Sequence, residues 1–330
     1  MNKRQILKFI NKIVHPIRSQ VLLANYKLNN YKEVLWLIGD GRSGTTWVSN
    51  LINYNKEYRD MFEPFHPKIV KEASFLLPDQ YVRAEDTNDQ LEKFANEVFS
   101  GRFTHLRVDP ANRSISYKGL LIKDIYANLF SYWVYTHFEN VKIVLLIRNP
   151  FSVALSKYKI RDWFWMNDPM SLLNQPKLYE DYLQPFEDII IETSKKNDFI
   201  LNQILIWSII NYIPIRQFSP GQIHIVFYED IFTNPNLETS KILQFSKGNI
   251  DINLLKLDEK TIKHHNRVMG TESNIIKGKS PITSWKNELS STQIENGQKI
   301  LDCFGFAELY NDESMPNRFV LDSIHSQGLK

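Results

Sequence analysis

Apolar residues in this chain gather in short unbroken runs rather than in strict alternation. The clearest lie at residues 34–38, 120–122, 141–147 and 223–227. Short β-branched runs of this kind predict strands buried on both faces. Each is followed by residues with helical spacing, at 45–53, 126–138, 151–158 and 236–245. A longer helix is predicted over about residues 186–217, with Ile189, Ile190, Leu201, Ile204, Leu205 and Ile209 toward a core. Strands alternating with helices predict the α/β class: a parallel β-sheet flanked by helices, with ligands at the carboxyl ends of the strands. Residues 55–118 and 160–185 break the rhythm and are predicted as insertions over one edge of the sheet.

The expected organisation is an N-terminal amphipathic region over 1–33, one domain over 34–310 and a C-terminal tail over 311–330. Ile6, Phe9, Ile10, Ile13 and Ile17 recur at helical spacing in the first region, interrupted by Lys8, Lys12 and Arg18. Such a helix either docks on its own domain or touches a membrane surface, here through residues 1–23. No run reaches the ~18 uninterrupted apolar residues of a spanning helix. The expected location is the cytoplasm, with the inner membrane as a peripheral surface.

Composition narrows the function. Hydrophobic residues make up 43% and charged residues 23%, enough for a sizeable core. The 40 Lys+Arg against 37 Asp+Glu are too balanced for a surface that coats nucleic acid. A single cysteine, Cys303, excludes an internal disulfide framework and a cysteine-based zinc site.

The first strand runs into Gly39-Asp40-Gly41-Arg42-Ser43-Gly44-Thr45-Thr46-Trp47. A strand, a glycine-rich turn and a helix start form a cradle of backbone N–H groups for phosphate. Gly39 and Gly44 have the spacing of a nucleoside-triphosphate loop, but Thr45-Thr46 stands where Lys-Ser/Thr would be. The cation is inside the loop instead, at Arg42. The third run delivers Arg148-Asn149-Pro150 and then Ser152 and Ser156. Many phosphate-loop enzymes end such a strand in a magnesium-holding Asp. An arginine there offers a planar fork of donors to a second phosphate, with Ser156 about two helical turns on. Two phosphate sites and no metal site predict a nucleotide phosphorylated at two positions, with Arg42 and Arg148 gripping its opposite ends.

These residues resemble the sulfotransferases that use 3′-phosphoadenosine 5′-phosphosulfate (PAPS). The stretch from Gly41 to Trp47 is similar to the family's 5′-phosphosulfate loop, and residues 144–156 resemble its 3′-phosphate motif, with Asn149 where the family often has Asp. Phe227-Tyr228-Glu229-Asp230 is similar to a stretch whose Tyr contacts the adenosine. Lys277-Gly278-Lys279 and Ser284-Trp285-Lys286 resemble the late segment that folds over the nucleotide. The resemblance implies a P-loop NTPase-like sulfotransferase fold and a PAPS donor, with 3′,5′-diphosphoadenosine (PAP) as product and no metal. Donor contacts are implied at Arg42, Ser43, Gly44, Thr45, Thr46, Trp47, Arg148, Ser156, Tyr228, Lys279 and Trp285.

Sulfonyl transfer needs a base on the acceptor and cations near the leaving oxygen. Met61-Phe62-Glu63-Pro64-Phe65-His66-Pro67 resembles the Phe-Glu-Pro segment of carbohydrate sulfotransferases, whose Glu serves as base. Glu63 is therefore the first candidate, with His66 and His105 as alternatives. Lys123, after the second run, is the candidate cation for the leaving phosphate. The aromatic stretch Arg161-Asp162-Trp163-Phe164-Trp165-Met166 suits a sugar ring. The expected acceptor is a saccharide or glycolipid hydroxyl. The alternatives are a small phenol or alcohol acceptor, or a kinase-like nucleotide-binding protein.

Overall fold

The structure is a computed structural model, and it describes residues 3–160, 167–248, 255–263 and 280–327. Helix α1 (Lys3–Lys27) leads into strand β1 (Glu33–Gly39), helix α2 (Thr45–Ile52), strand β2 (Tyr58–Phe62) and helix α3 (Asp89–Phe99). Strand β3 (Gly119–Asp124), helix α4 (Ser131–His137), strand β4 (Val141–Ile147), helix α5 (Pro150–Ile160) and strand β5 (His224–Phe227) follow. All pairs are parallel, in the order β2-β3-β1-β4-β5. The chain runs from β1 to β2 and β3 on one side, and the connection after β3 then crosses β1 to β4 on the other, so the carboxyl end of β1 lies at the reversal of strand order where ligands bind in such sheets.

Both sheet faces are covered, which explains the unbroken apolar runs. Trp36 and Ile38 of β1 face a core shared with α3, α4, α5 and the long helix Phe199–Gln217. Leu35 and Leu37 face the opposite core with Trp47, Val48 and Leu51 of α2. Phe199–Gln217 is long and apolar enough to cross a membrane, but nearly all of it lies inside the protein.

The four predicted strands are present, and a fifth, β2, forms the edge. Its sequence, Tyr-Arg-Asp-Met-Phe, buries two charged residues. Arg59 is fully enclosed, donating to both carboxylate oxygens of Asp109 (2.9 and 3.1 Å) and to the carbonyls of Gly101 and Phe103. The outer rim of β2 is occupied too. Phe62 N–H donates to Val108 O, and the Asn112 amide both accepts from Asp60 N–H and donates to Asp60 O (2.8 and 2.9 Å).

Two terminal expectations need correction. The C-terminal segment is not a loose tail: Leu321 and Ile324 of helix Phe319–Gln327 lie in the core, and Ser314 is buried. Helix α1 does dock, but not through Ile13 and Ile17 of its predicted stripe. Leu22 and Asn25 are buried, whereas Ile13 and Ile17 are 59% and 71% exposed. The polar contacts that decide this orientation are Asn25 with Ile115 O and Tyr117 N–H, Tyr31 Oη with Leu22 O, and Arg18 with Asp109 O.

Candidate active site

The loop after β1 is shaped by its own hydroxyl and two left-handed residues. Ser43 donates from both N–H and Oγ to Asp40 O (3.1 and 2.6 Å), closing the turn. Arg42 (φ 72°) and Gly44 (φ 100°) are left-handed. At Gly44 a Cβ would also strike the Tyr228 ring at 2.6 Å, so glycine is required twice over. Thr45 and Thr46 then open α2, where the first N–H groups have no intrahelical acceptor. The Asp40 carboxylate is buried and takes Lys157 Nζ at 2.7 and 2.8 Å, tying the loop to α5. Burial pushes the Asp40 carboxyl up, against the pull of Lys157.

The strand β4 ends beside this loop. Asn149 accepts from Phe151 N–H and Ser152 N–H, and Pro150 follows, so the Asn-Pro pair starts α5 as an N-cap and first helical residue. Asn149 N–H in turn donates to Glu229, whose carboxyl burial raises to about 7. Arg148 donates to Arg42 O (3.0 Å) and Pro281 O (2.7 Å) and lies over the Tyr228 ring at 4.3 Å. Arg42 Nε donates to Ser156 Oγ at 3.1 Å.

This corrects the expectation of two cationic pockets at opposite ends. The Arg42 side chain, Arg148 and Ser156 form one cluster. Burial, then the Arg148 charge, lowers Arg42 to about 10. Among the described residues neither arginine has a carboxylate ion-pair partner, and buried Arg148 Nε has no hydrogen-bond partner. Two like charges held together while half-buried are unfavourable unless an anion joins them.

Other sequence candidates divide. Tyr228 and Trp47 meet edge-on at 5.3 Å beside the loop, with Trp47 Nε1 donating to Ile262 O. Trp285 is a core residue instead: its ring stacks on Phe151 at 4.6 Å and its Nε1 donates to Ser314. The late segment reaches the cluster through backbone carbonyls, Pro281 O to Arg148 and Ile282 O to Ser152. Lys279 and the aromatic residues 161–166 lie outside the described residues.

Edge strand β2 delivers the candidate base. Phe62 pairs with Lys123 in register, and Glu63 N–H continues the ladder to Lys123 O (2.7 Å). Glu63 then turns left-handed (φ 53°), a conformation that costs a non-glycine residue energy. Its carboxylate receives Lys123 Nζ at 2.5 Å and Arg107 Nη2 at 3.1 Å. Both cations also lie against the Phe62 ring, at 3.8 and 4.4 Å. Burial pushes Glu63 up, but Lys123 and Arg107 outweigh it and hold the carboxyl below its usual range. His66 is buried, its Nδ1 accepts from Lys68 N–H, and burial lowers it to about 4, so it is neutral. His105 bonds to neighbours of its own segment rather than to Glu63. It stacks on Phe103, accepts from Arg107 N–H and donates its own N–H to Asp109.

A family model described as a sulfotransferase domain matches residues 32–314. The chain belongs to the sulfotransferase family. No curated protein matches this sulfotransferase. Among solved structures it is similar to the sulfotransferase domain of the Synechococcus PCC 7002 olefin synthase, at 13% identity and a TM-score of 0.42, covering 82% of this chain and 94% of that one. The sulfotransferase domain of the curacin biosynthetic pathway gives 15% and 0.43, covering 82% and 96%. Retinol dehydratase, in a complex with androsterone and inactive cofactor PAP, gives 15% and 0.39, covering 88% of each chain.

The sulfonate donor of a sulfotransferase of this family is PAPS, and the residues present fit it. Arg42, Arg148 and Ser156 make one half-buried cationic cluster, with Arg148 Nε buried and without a hydrogen-bond partner, next to a loop of helix-start amides. Three residues that matter to this site are not apparent from linear motifs. Arg107 lies 44 residues from its partner Glu63. Asp124 accepts from Phe65 N–H (3.0 Å) and Trp36 Nε1 (2.8 Å), pinning the turn that carries Glu63. Asp79 is fully buried within range of the Asp40–Lys157 pair, and burial raises it to about 8.

Proposed function

We propose that this sulfotransferase sulfonates a hydroxyl of a saccharide or glycolipid, with Glu63 as general base. The observation that carries the reading is the buried, strained Glu63 held between Lys123 and Arg107 at the carboxyl ends of β2 and β3. When bound, PAPS supplies an activated sulfonate; everything else comes from the chain. Arg42, Arg148, Ser156 and the loop amides bind and orient the donor. Glu63 accepts the acceptor hydroxyl proton. Lys123, 2% exposed at its side chain, places a fixed positive charge in a water-poor site and would stabilise charge developing on the leaving oxygen of a bound donor. Arg107 is 35% exposed at its side chain, so it faces both Glu63 and solvent and suits contact with a polar acceptor.

In the present arrangement Glu63 is a weak base, because two cations favour its charged form. Its basicity rises when either cation shifts away, which links proton abstraction to the position of Lys123. Neutral His66 supports a second reading, in which an imidazole base serves a small phenol or alcohol. Labelled-donor transfer against saccharides, glycolipids and phenols, with mass identification of products, separates the two. Glu63→Gln should lower kcat about 10²- to 10⁴-fold while leaving PAP affinity intact. Unchanged turnover in Glu63→Gln with loss in His66→Ala would overturn the carboxylate reading.

A further inference from the structure

Helix α1 presents an apolar stripe that its own domain does not cover. Ile13 and Ile17, one turn apart, are 59% and 71% exposed, and Val14 beside them is 39% exposed. The helix is anchored by its other side, through Leu22, Asn25 and Arg18. Ile13, Val14 and Ile17 lie within five residues of one another on the helix, so they form an apolar patch rather than scattered single exposures.

Charge says what that surface is. The first 32 residues hold seven of the 40 Lys+Arg (Lys3, Arg4, Lys8, Lys12, Arg18, Lys27 and Lys32) and none of the 37 Asp+Glu. The segment thus carries +7, while the remaining chain carries −4. Two copies of so basic a helix repel each other, which disfavours self-association through this stripe. An anionic lipid surface attracts the charges and takes up the apolar side chains, the combination that holds interfacial helices.

We propose that α1 is a membrane-surface helix that seats this enzyme on bilayers rich in anionic lipid, with Ile13, Val14 and Ile17 entering the interface. The geometry gives the seat a direction. Arg18 Nη1 donates to Asp109 O at 2.9 Å, and Asp109 is two residues from Arg107, the partner of Glu63. Helix α1 is thereby pinned to the segment that approaches the candidate base. The proposal does not depend on which acceptor is sulfonated.

The test uses the full chain with phosphatidylcholine vesicles, with and without phosphatidylglycerol, in a sedimentation assay. Binding should require phosphatidylglycerol and weaken as salt rises. Ile13→Asn with Ile17→Asn should lower binding at least about tenfold, and so should Lys3→Gln, Lys8→Gln and Lys12→Gln together. PAP affinity should be unchanged in both variants, which shows that they remain folded. Equal binding to both vesicle types, no binding to either, or unaltered binding of both variants would overturn the proposal. So would an Ile13- and Ile17-dependent dimer in sedimentation velocity without vesicle binding.

Discussion

Arg148→Ala tests the donor cluster most directly. The guanidinium gives one donor to Arg42 O, one to Pro281 O, and keeps Nε without a partner in a buried setting. If a 3′-phosphate completes this cluster, truncation leaves a buried anion short of a charge-assisted contact, at a cost of about 2–5 kcal/mol. Part of that loss is offset, because Arg42 no longer faces the like charge that helps lower it to about 10. The lower half of the range is therefore expected, about 2–3 kcal/mol, or roughly 30- to 150-fold in Kd. 5′-AMP lacks the 3′-phosphate and should weaken by less than about threefold. Arg148→Lys keeps the charge but loses the planar fork, and should fall between. Isothermal titration with PAP and 5′-AMP reads the difference, and thermal melting checks the fold. Equal losses for the two nucleotides, or unaltered PAP binding, would refute the assignment of Arg148 to the 3′-phosphate.

Lys123→Met removes the cation that most depresses Glu63, so the acid limb of the kcat/KM profile should move to higher pH as kcat falls about 10²-fold; a stationary limb would remove Glu63 from the titration. Asp79→Asn should raise Tm, and more so above pH 8 than at about pH 5. The folded pKa of about 8 lies above the ordinary 3.8, so the acid form is favoured by folding and the native state weakens as pH climbs between those values. An equal gain at both pH values in thermal melts would show that burial is not what raises Asp79. Asp109→Ala should cost about 3–5 kcal/mol in urea unfolding, since it strands Arg59 in the core without its counterion.

The buried strands were legible because both sheet faces are covered, which writes them as apolar runs. Strand β2 was not, because Arg59 and Asp60 break its run, and the Asp109 carboxylate that pairs Arg59 and the Asn112 amide that bonds the Asp60 backbone lie some 50 residues away. The turn after β1 and the Asn-Pro start of α5 were legible because such geometry needs particular residues at fixed spacing. Their mutual placement was not: the left-handed turn at Arg42 sends its side chain to Ser156, 114 residues away. For α1, periodicity identified a helix. It could not say which side docks, because Asn25, Tyr31 and Arg18 set that orientation through backbone partners in another segment. The place of Trp285 was hidden for a related reason, since one-dimensional likeness does not separate a ring packed on Phe151 from the Pro281 carbonyl four residues before it that meets Arg148.

Asn112 belongs to an Asn-Arg-Ser sequon, yet its side-chain amide imitates a neighbouring strand's backbone for Asp60 and also donates to Asp109. It is 4% exposed. A sugar attached there before folding would remove that imitation, leave the sheet margin open to pairing with other chains, and force a bulky hydrophilic group into the core. Expression of this chain along a secretory route would therefore set oligosaccharide transfer against correct folding at one position, and Asn112→Asp, which blocks attachment, could not restore the lost amide donor.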